Sequence, residues 1–557
     1  MPRRLAALRA VLRNRRLVRV ELAFQLFSIS EWATWVAIVV FAYTRGGAAE
    51  AGLAGCVLYL PSVIVAPAAS IVGDRLPRAR VLAASYAIQA LAFGGAAFAL
   101  FGGSPLLAYA LATIAATVLT LTRPAHSSLA PEIVADPDEL AAANVASGMV
   151  EGLGALAGPA LAGFLIGVGG SALVYVASAI AVAAAFLCVV SIALEESGLV
   201  VVRTAIAPQD GSMAVARTVV TELRVGLRTI AGDGRLVGVL SIMAGAILLL
   251  GALNIFYAVI AIELLGLDTR AVGYLAAVVG VGAVLGAAGS TVLVGRERLA
   301  GATLVAAALF GLAVAVLGVV RQQVLVVIAL AMAGAGWAFV YVEARTLAQR
   351  LAGDDVMSRV FGVMEALMMA SQALGALLVP VLVVTTGAPA ALVVAGLALC
   401  SATFLVGPSL LRADRLDPER IRRLRVLRAV PMFAPLAAPV LERLAEDSVA
   451  SEVASGQPIV SEGEVGDRFY VIAAGSTDVT VAGRRTRQLH AGDSFGEIAL
   501  IHDVARTATV TARGRVELLS IERQAFLDAL TGQPRSRAVA ADISTRRLAE
   551  SSHPLLD

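Results

Sequence analysis

Twelve stretches of roughly 20 or more mostly apolar residues follow one another through the chain, each long enough to cross a bilayer's hydrocarbon core as a helix. They run Val20–Tyr43, Ala51–Val72, Ala79–Phe101, Pro105–Thr122, Leu140–Val168 and Ser171–Ala193, then Leu236–Ile262, Ala271–Val294, Ala300–Val320, Gln323–Glu343, Arg359–Thr385 and Ala388–Leu411. A polar interval divides them into two sets of six. The 557 residues are 59% hydrophobic and only 15% charged, so most of the chain belongs in lipid. The expected architecture is an all-α membrane domain of twelve transmembrane helices in two six-helix bundles, 20–193 and 236–411, joined by a central loop, 194–235. Parallel halves with a site between them are a common plan for secondary transporters.

The arginines orient these spans. They are dense before the first span, at Arg75, Arg78 and Arg80, through Arg203–Arg235, at Arg296 and Arg298, at Arg345, Arg350 and Arg359, and after Arg412. The alternate loops carry only Arg45, Arg270 and Arg321. The positive-inside rule then puts both termini in the cytoplasm. Seven arginines punctuate the first 20 residues, and 1–19 reads equally well as an amphipathic surface helix on anionic lipid or as a solvated extension. Within the central loop, Ala216–Gly232 is amphipathic and suits the inner leaflet.

All basic residues are arginine, which suggests a GC-rich bacterial genome and so a bacterial inner membrane. A net charge of +3 is too small and too scattered for nucleic-acid binding. Cys56, Cys188 and Cys400 lie far apart in apolar runs, and His126, His490, His502 and His553 form no metal or triad spacing. Neither a metal site nor an enzyme is expected. No nucleotide-hydrolysing P-loop occurs, so transport would draw on a gradient.

The loop after the second span reads SIVGDRLPRARVL, Ser70–Leu82. It resembles the major facilitator superfamily loop Gly-x-x-x-Asp-Arg-x-Gly-Arg-Arg, with Asp74, Arg75, Arg78 and Arg80 matching and Ser70, Pro77 and Ala79 departing. Asp74, Arg75 and Arg78 would then form a conformational latch between the bundles. SEWATWVAIVVFAYTRGGAAEAGLAG (Ser30–Gly55), TRPAHSSLAPEIV (Thr122–Val134) and SRVFGVMEAL (Ser358–Leu367) look like the branch of enterobactin exporters and macrolide-efflux proteins. GALAGPALAG (Gly154–Gly163) resembles the superfamily's Gly-Pro exporter motif; the same glycines also suit plain close packing of helices.

Charges inside spans cost on the order of 3 kcal/mol on insertion scales and should face the bundle interior. Glu31, Glu151 and Glu365 are the candidates for transport and proton coupling, with Glu21 and Glu343 nearer the ends and Glu343 readable as a partner of Arg345. GMVE ending at Glu151 and GVME ending at Glu365 occupy corresponding places in the two halves.

After Leu411 the composition becomes soluble: a linker helix in 412–430, a β-roll in 431–530 and a lid helix and tail in 531–557. SFGEIALIHDVARTATV, Ser494–Val510, resembles the phosphate-binding cassette of cyclic-nucleotide-binding domains. The resemblance implies cAMP, or alternatively cGMP, held by Gly496, Glu497, Ile498, Ala499, Arg506, Thr507 and Ala508. Arg506 would meet the cyclic phosphate and Glu497 the ribose 2′-OH. Asp503 and Ala505 stand where glycine and proline are usual, and Asp503 is expected to add negative charge beside the phosphate. A tail helix around Arg535–Ala549 would become ordered over the bound nucleotide.

Two functions follow. One is a nucleotide-regulated, proton-coupled exporter of a small amphipathic or lipid-like molecule. The other is a solute sensor with a transporter fold that reports through the roll.

Overall fold

The structure, a computed structural model, describes residues 14–75, 77–134, 137–197, 224–290, 300–351, 357–413, 418–436, 438–531 and 534–552. The chain divides into two compact units, Met1–Asp414 and Arg415–Asp557.

The first unit is helical. Its helices are α1 (Arg15–Arg75), α2 (Arg78–Phe101), α3 (Pro105–Ile133), α4 (Pro137–Ser197), α5 (Gly234–Ala258), α6 (Arg270–Ser290), α7 (Ala300–Leu317), α8 (Gln323–Leu351), α9 (Met357–Thr386) and α10 (Ala388–Ala413). In lipid each segment must satisfy its own backbone, and helices do so. Among the described residues ten helices are long and apolar enough to span a membrane.

Two of the ten carry 49-residue apolar stretches, about 73 Å at 1.5 Å per residue, more than twice the hydrocarbon thickness. Each is broken by a glycine pair, Gly46–Gly47 in α1 and Gly169–Gly170 in α4, with φ of 60° at Gly47 and 72° at Gly170. That left-handed backbone is free of strain only for glycine. The chain doubles back there: the Trp35 and Tyr59 rings, on either side of the first break, lie 4.9 Å apart. Likewise Ser147 and Ser191, on either side of the second, bond to Glu21 and Arg19, two residues apart on α1. Ten helices therefore supply twelve spanning segments.

The halves meet where side chains are absent. A Cβ on Gly273 of α6 would stand 2.4 Å from the Pro159 carbonyl oxygen of α4, and one on Gly52 of α1 would stand 2.7 Å from that of Ala376 in α9. Such close backbone approach substitutes for a hydrophobic driving force that lipid does not provide. A π-helical segment, Val259–Leu264, continues α5, and its Glu263 accepts a hydrogen bond from the Tyr43 hydroxyl of α1 across the two halves.

Several sequence-derived boundaries move. α3 continues eleven residues beyond the expected end at Thr122, so Arg123 and His126 are helical rather than in a loop. Arg15–Arg19 are the first turns of α1, while 1–13 lie outside the described residues. Of the central loop, 224–232 is helical and 198–223 lies outside the description.

The second unit holds α11 (Pro418–Ala429), α12 (Ala438–Asp447), β1 (Val449–Val453), β2 (Pro458–Val460), β3 (Arg468–Ala474), β4 (Ser476–Val481), β5 (Arg484–His490), β6 (Ser494–Phe495), α13 (Glu497–His502), β7 (Thr509–Ala512), β8 (Val516–Glu522), α14 (Arg523–Thr531) and α15 (Pro534–Ser552). Two antiparallel four-stranded sheets, β1-β8-β3-β6 and β2-β7-β4-β5, form a roll. Alternation in β3 explains the layering: Tyr470 and Ile472 face the core between the sheets, and Phe469 and Val471 face the helices. On the helical side Phe469 stacks on Phe526 at 4.6 Å and meets Phe433 edge-on. α11 is anchored to the roll by the Arg422–Glu517 ion pair and by Arg423 donating to the Ser448 carbonyl at 2.7 Å.

Candidate functional site

The cassette lies between β6 and β7. Gly496, with φ of 95°, turns the chain into the short helix that carries Glu497, Ile498 and Ala499. Arg506, Thr507 and Ala508 lie on the segment that leads into β7. A Cβ on Gly496 would stand 2.6 Å from Arg506 Nη1, so both φ and space require glycine.

Arg506 is 5% exposed. Its Nη1 donates to the Gly496 carbonyl at 3.0 Å and its Nη2 to that of Arg468 at 2.7 Å. Its guanidinium lies 5.8 Å from the centre of the Tyr470 ring, which itself stacks on Phe495 at 5.1 Å. The main chain is pinned as well, with Arg506 N–H donating to the Glu464 carbonyl at 2.7 Å. Burial lowers the Arg506 pKa, with Tyr470, Asp467, Glu464 and Glu497 pulling the other way. The result is a fixed cation whose orientation is set before any anion arrives.

Glu497 is 1% exposed. Its Oε1 accepts from Arg547 Nη1 of α15 at 2.7 Å, and the same nitrogen donates to the Ser494 carbonyl at 2.8 Å. Glu497 Oε2 is buried and has no partner among the described residues. A buried carboxylate oxygen of this kind needs a donor, and a sugar hydroxyl fits that need. The carboxylate and the guanidinium of Arg506 thus suit a ligand that is anionic at one end and a hydroxyl donor at the other.

One expectation changes here. Asp503 takes the left-handed backbone, φ 54°, that a usual glycine would occupy, and its carboxylate pairs with Arg523 at 2.5 Å, so its charge is neutralised locally rather than added to the pocket. The tail helix is formed over Pro534–Ser552 and docked by Arg547 and by Ser544 Oγ, 3.2 Å from His502 Nε2. Sequence reading found neither Arg523 nor Arg547, because both are ordinary-looking arginines on charged helices.

In the first unit, Arg123 of α3 binds Glu31 of α1 at 2.9 Å and also pairs with Glu151 of α4. In the second half Arg345 of α8 pairs with Glu365 of α9 at 3.3 Å and bonds the Tyr341 hydroxyl at 3.1 Å. The GMVE and GVME echo therefore marks a repeated arginine–glutamate pair. Arg345, next but one to Glu343 in sequence, thus reaches Glu365 on the neighbouring helix. These side chains are between 22% and 50% exposed, so they face a space between helices. Arg123 was missed because its span had been ended one residue early; an arginine inside a helix long enough to span would have marked it.

A cavity of about 80 Å³ is lined by Trp32, Trp35 and Asn254 with Pro159, Tyr257 and Trp337, drawn from both halves. These are all three tryptophans of the chain. Of the expected latch, Arg78 donates to the Ser128 carbonyl at 2.8 Å within the first half; the side chains of Asp74 and Arg75 lie outside what the structure describes. The glycines of Gly154–Gly163 pack closely: a Cβ on Gly158 would meet the Ile29 carbonyl oxygen at 2.6 Å, and one on Gly163 that of Arg270 at 2.7 Å.

A transporter-like helical unit and a roll with an anion-ready cassette are thus joined in one chain. Residues 22–376, more than half of the sequence, match the family model of the Major Facilitator Superfamily, and the chain belongs to that superfamily of transporters. Residues 450–533 match the model of the cyclic nucleotide-binding domain. The fold of the first unit is also that of a crystallised POT family transporter in complex with a thioalcohol-conjugated peptide: TM-score 0.55 and 13% identity, covering 72% of this chain and 96% of that one. The C-terminal part is 34% identical over 102 residues to a cAMP-dependent protein kinase regulatory subunit of Yarrowia lipolytica, covering 18% of this chain and 27% of the relative. It is 37% identical over 106 residues to a cGMP-dependent protein kinase of Toxoplasma gondii, 19% of this chain and 11% of the relative. The chain thus spans about a quarter or less of these relatives, and the shared part is the roll.

Proposed function

We propose that this protein is a secondary active transporter whose flux is regulated by a cyclic nucleotide, cAMP or alternatively cGMP, bound at Arg506 and Glu497. The observation that carries the reading is a buried, pre-oriented guanidinium in the same cassette as a buried carboxylate oxygen that has no partner among the described residues. The named relatives of the roll, one cAMP-dependent and one cGMP-dependent, support the choice of ligand. α11 follows the last span directly in sequence and is clamped to the roll, which suits it to carry the signal. A coupling of this type is typically about 1–3 kcal/mol, enough to alter flux severalfold but not to drive it.

The cargo in this reading is a small amphipathic or lipid-like molecule, exported against protons through the central cavity, with Glu31, Glu151 and Glu365 in the pathway. The protein sits in a bacterial inner membrane with both termini and the roll in the cytoplasm. Arginine placement supports this orientation, and its three exceptions are locally held. Arg45 pairs with Glu50 at 2.9 Å and Arg270 with Asp268 at 2.5 Å, while Arg321 bonds the carbonyls of Leu317, Gly318 and Val320 at a helix end.

Counterflow in proteoliposomes, with and without cAMP and cGMP, tests the proposal. Nucleotide should change the rate in wild type and not in Arg506→Ala; equal rates throughout would remove regulation through this pocket. Solute-dependent nucleotide affinity without flux would favour the sensor reading.

A further inference from the structure

The first half contains a second polar site, separate from the Glu31–Arg123–Glu151 cluster. Glu21, Gln25, Ser28 and Glu31 follow one another along α1 at intervals of four, three and three residues, and so share one helix face. α4 runs beside that face. Ser147 Oγ donates to Glu21 Oε1 at 2.6 Å, Gly154 lies against Ser28 Oγ and Gly158 against Trp32 Cβ. Each pair is separated by 126 residues, so the two helices run parallel and in register along the stripe.

Five atoms here are buried without a partner among the described residues: Glu21 Oε2, Gln25 Nε2, Ser28 Oγ, Tyr86 Oη and His126 Nε2. Glu21 is 7% exposed and His126 3%. His126 Nε2 stands 3.5 Å from Glu21 Oε1, within charge-pair range but without hydrogen-bond alignment, and its ring stacks on Phe24 at 3.8 Å. Native proteins rarely leave so many polar groups together unpaired, and where they do, water completes the set.

We infer that Glu21, His126, Tyr86, Gln25 and Ser28 form a hydrated proton-binding site inside the first six-helix half. Glu21 is the acceptor: an O–H bond of a hydronium ion breaks as its proton bonds to Oε2, leaving water and a neutral carboxyl, and on release the carboxyl O–H bond breaks and the proton re-forms hydronium with a water. His126 of α3, Tyr86 of α2 and Ser147 of α4 face Glu21, Cys188 of α4 faces Tyr86, and Arg19 on the same helix is held by Ser191. Gln25 and Ser28 lie on the same helix face between Glu21 and Glu31, the partner of Arg123, so the site and the arginine–glutamate cluster share one stripe of α1. Use of the site in coupling rests on the transporter reading; its occupancy does not.

The test is infrared difference spectroscopy of the full chain in liposomes, titrated in H2O and D2O. Wild type should show a protonated-carboxyl band that shifts in D2O and is lost in Glu21→Gln but retained in Glu31→Gln. Ser147→Ala and His126→Asn should each move its midpoint by about one pH unit, a tenfold change in proton affinity. Thermal melts check that each variant is folded, and Ser147→Ala serves should Glu21→Gln fail to fold. A band that survives Glu21→Gln, or a midpoint indifferent to both Ser147→Ala and His126→Asn, overturns the inference, whatever the flux assays give.

Discussion

Arg547, near the end of the chain, donates to Glu497 Oε1 at 2.7 Å and so ties the last helix to the carboxylate that faces the pocket. Removing one partner of a buried pair leaves the other uncompensated. Arg547→Ala should therefore weaken cAMP binding by tenfold or more, and Arg547→Lys, which keeps the positive charge on a shorter side chain, should weaken it less. Calorimetry on the solubilised full chain distinguishes them.

The free Oε2 of Glu497 gives a ligand-side prediction. Losing one hydrogen bond to a charged group costs about 1.5–3 kcal/mol. Wild type should thus bind cAMP at least tenfold more tightly than 2′-deoxy-cAMP, and Glu497→Ala should bind the two alike. Competition binding with both nucleotides settles the point.

Arg506→Ala should lower nucleotide affinity at least tenfold for the same reason, and Arg506→Lys should not restore it. Lysine lacks the fork that holds two carbonyls at 3.0 and 2.7 Å while presenting its remaining donor to an anion. Titration calorimetry of both variants against wild type gives the ratio directly.

Asp503 and Arg523 form an exposed pair, so their effect should be small. Arg523→Ala should weaken binding by about two- to fivefold and Asp503→Gly should restore it, through the charge beside the phosphate. The difference should shrink as salt is raised from 50 to about 500 mM.

In the helical unit, Arg123 answers two carboxylates. Arg123→Ala should lower the melting temperature, and adding Glu31→Gln and Glu151→Gln should recover most of the loss, because the uncompensated charges go with it. Intrinsic fluorescence suits this measurement and also a search for cargo. Every tryptophan lines the central cavity, so a bound aromatic or cationic solute should quench the signal directly.

Local pattern carried the sequence reading far in the roll. There the alternation of Phe469, Tyr470, Val471 and Ile472 sorts side chains to opposite faces, and the cassette residues are contiguous, so motif and site coincide. The helical unit yielded its span count and two-fold repeat. Arg123 escaped because a span's end is set by where apolar residues stop, and a helix does not have to stop there: α3 runs on to Ile133.

By itself the sequence determined what each segment is: twelve apolar segments, a division into halves, a roll of short strands and a cassette like that of cyclic nucleotide-binding domains, all properties of neighbouring residues. Tertiary structure alone decided which faces meet. A helix in lipid is apolar round most of its surface, so outside a few polar positions such as Glu21 and Glu31 no stripe marks its buried side. The pairings of Arg123 with Glu31, Glu21 with Ser147 and Arg547 with Glu497 join residues 92, 126 and 50 positions apart. Such partners are chosen by helix packing, not by spacing along the chain.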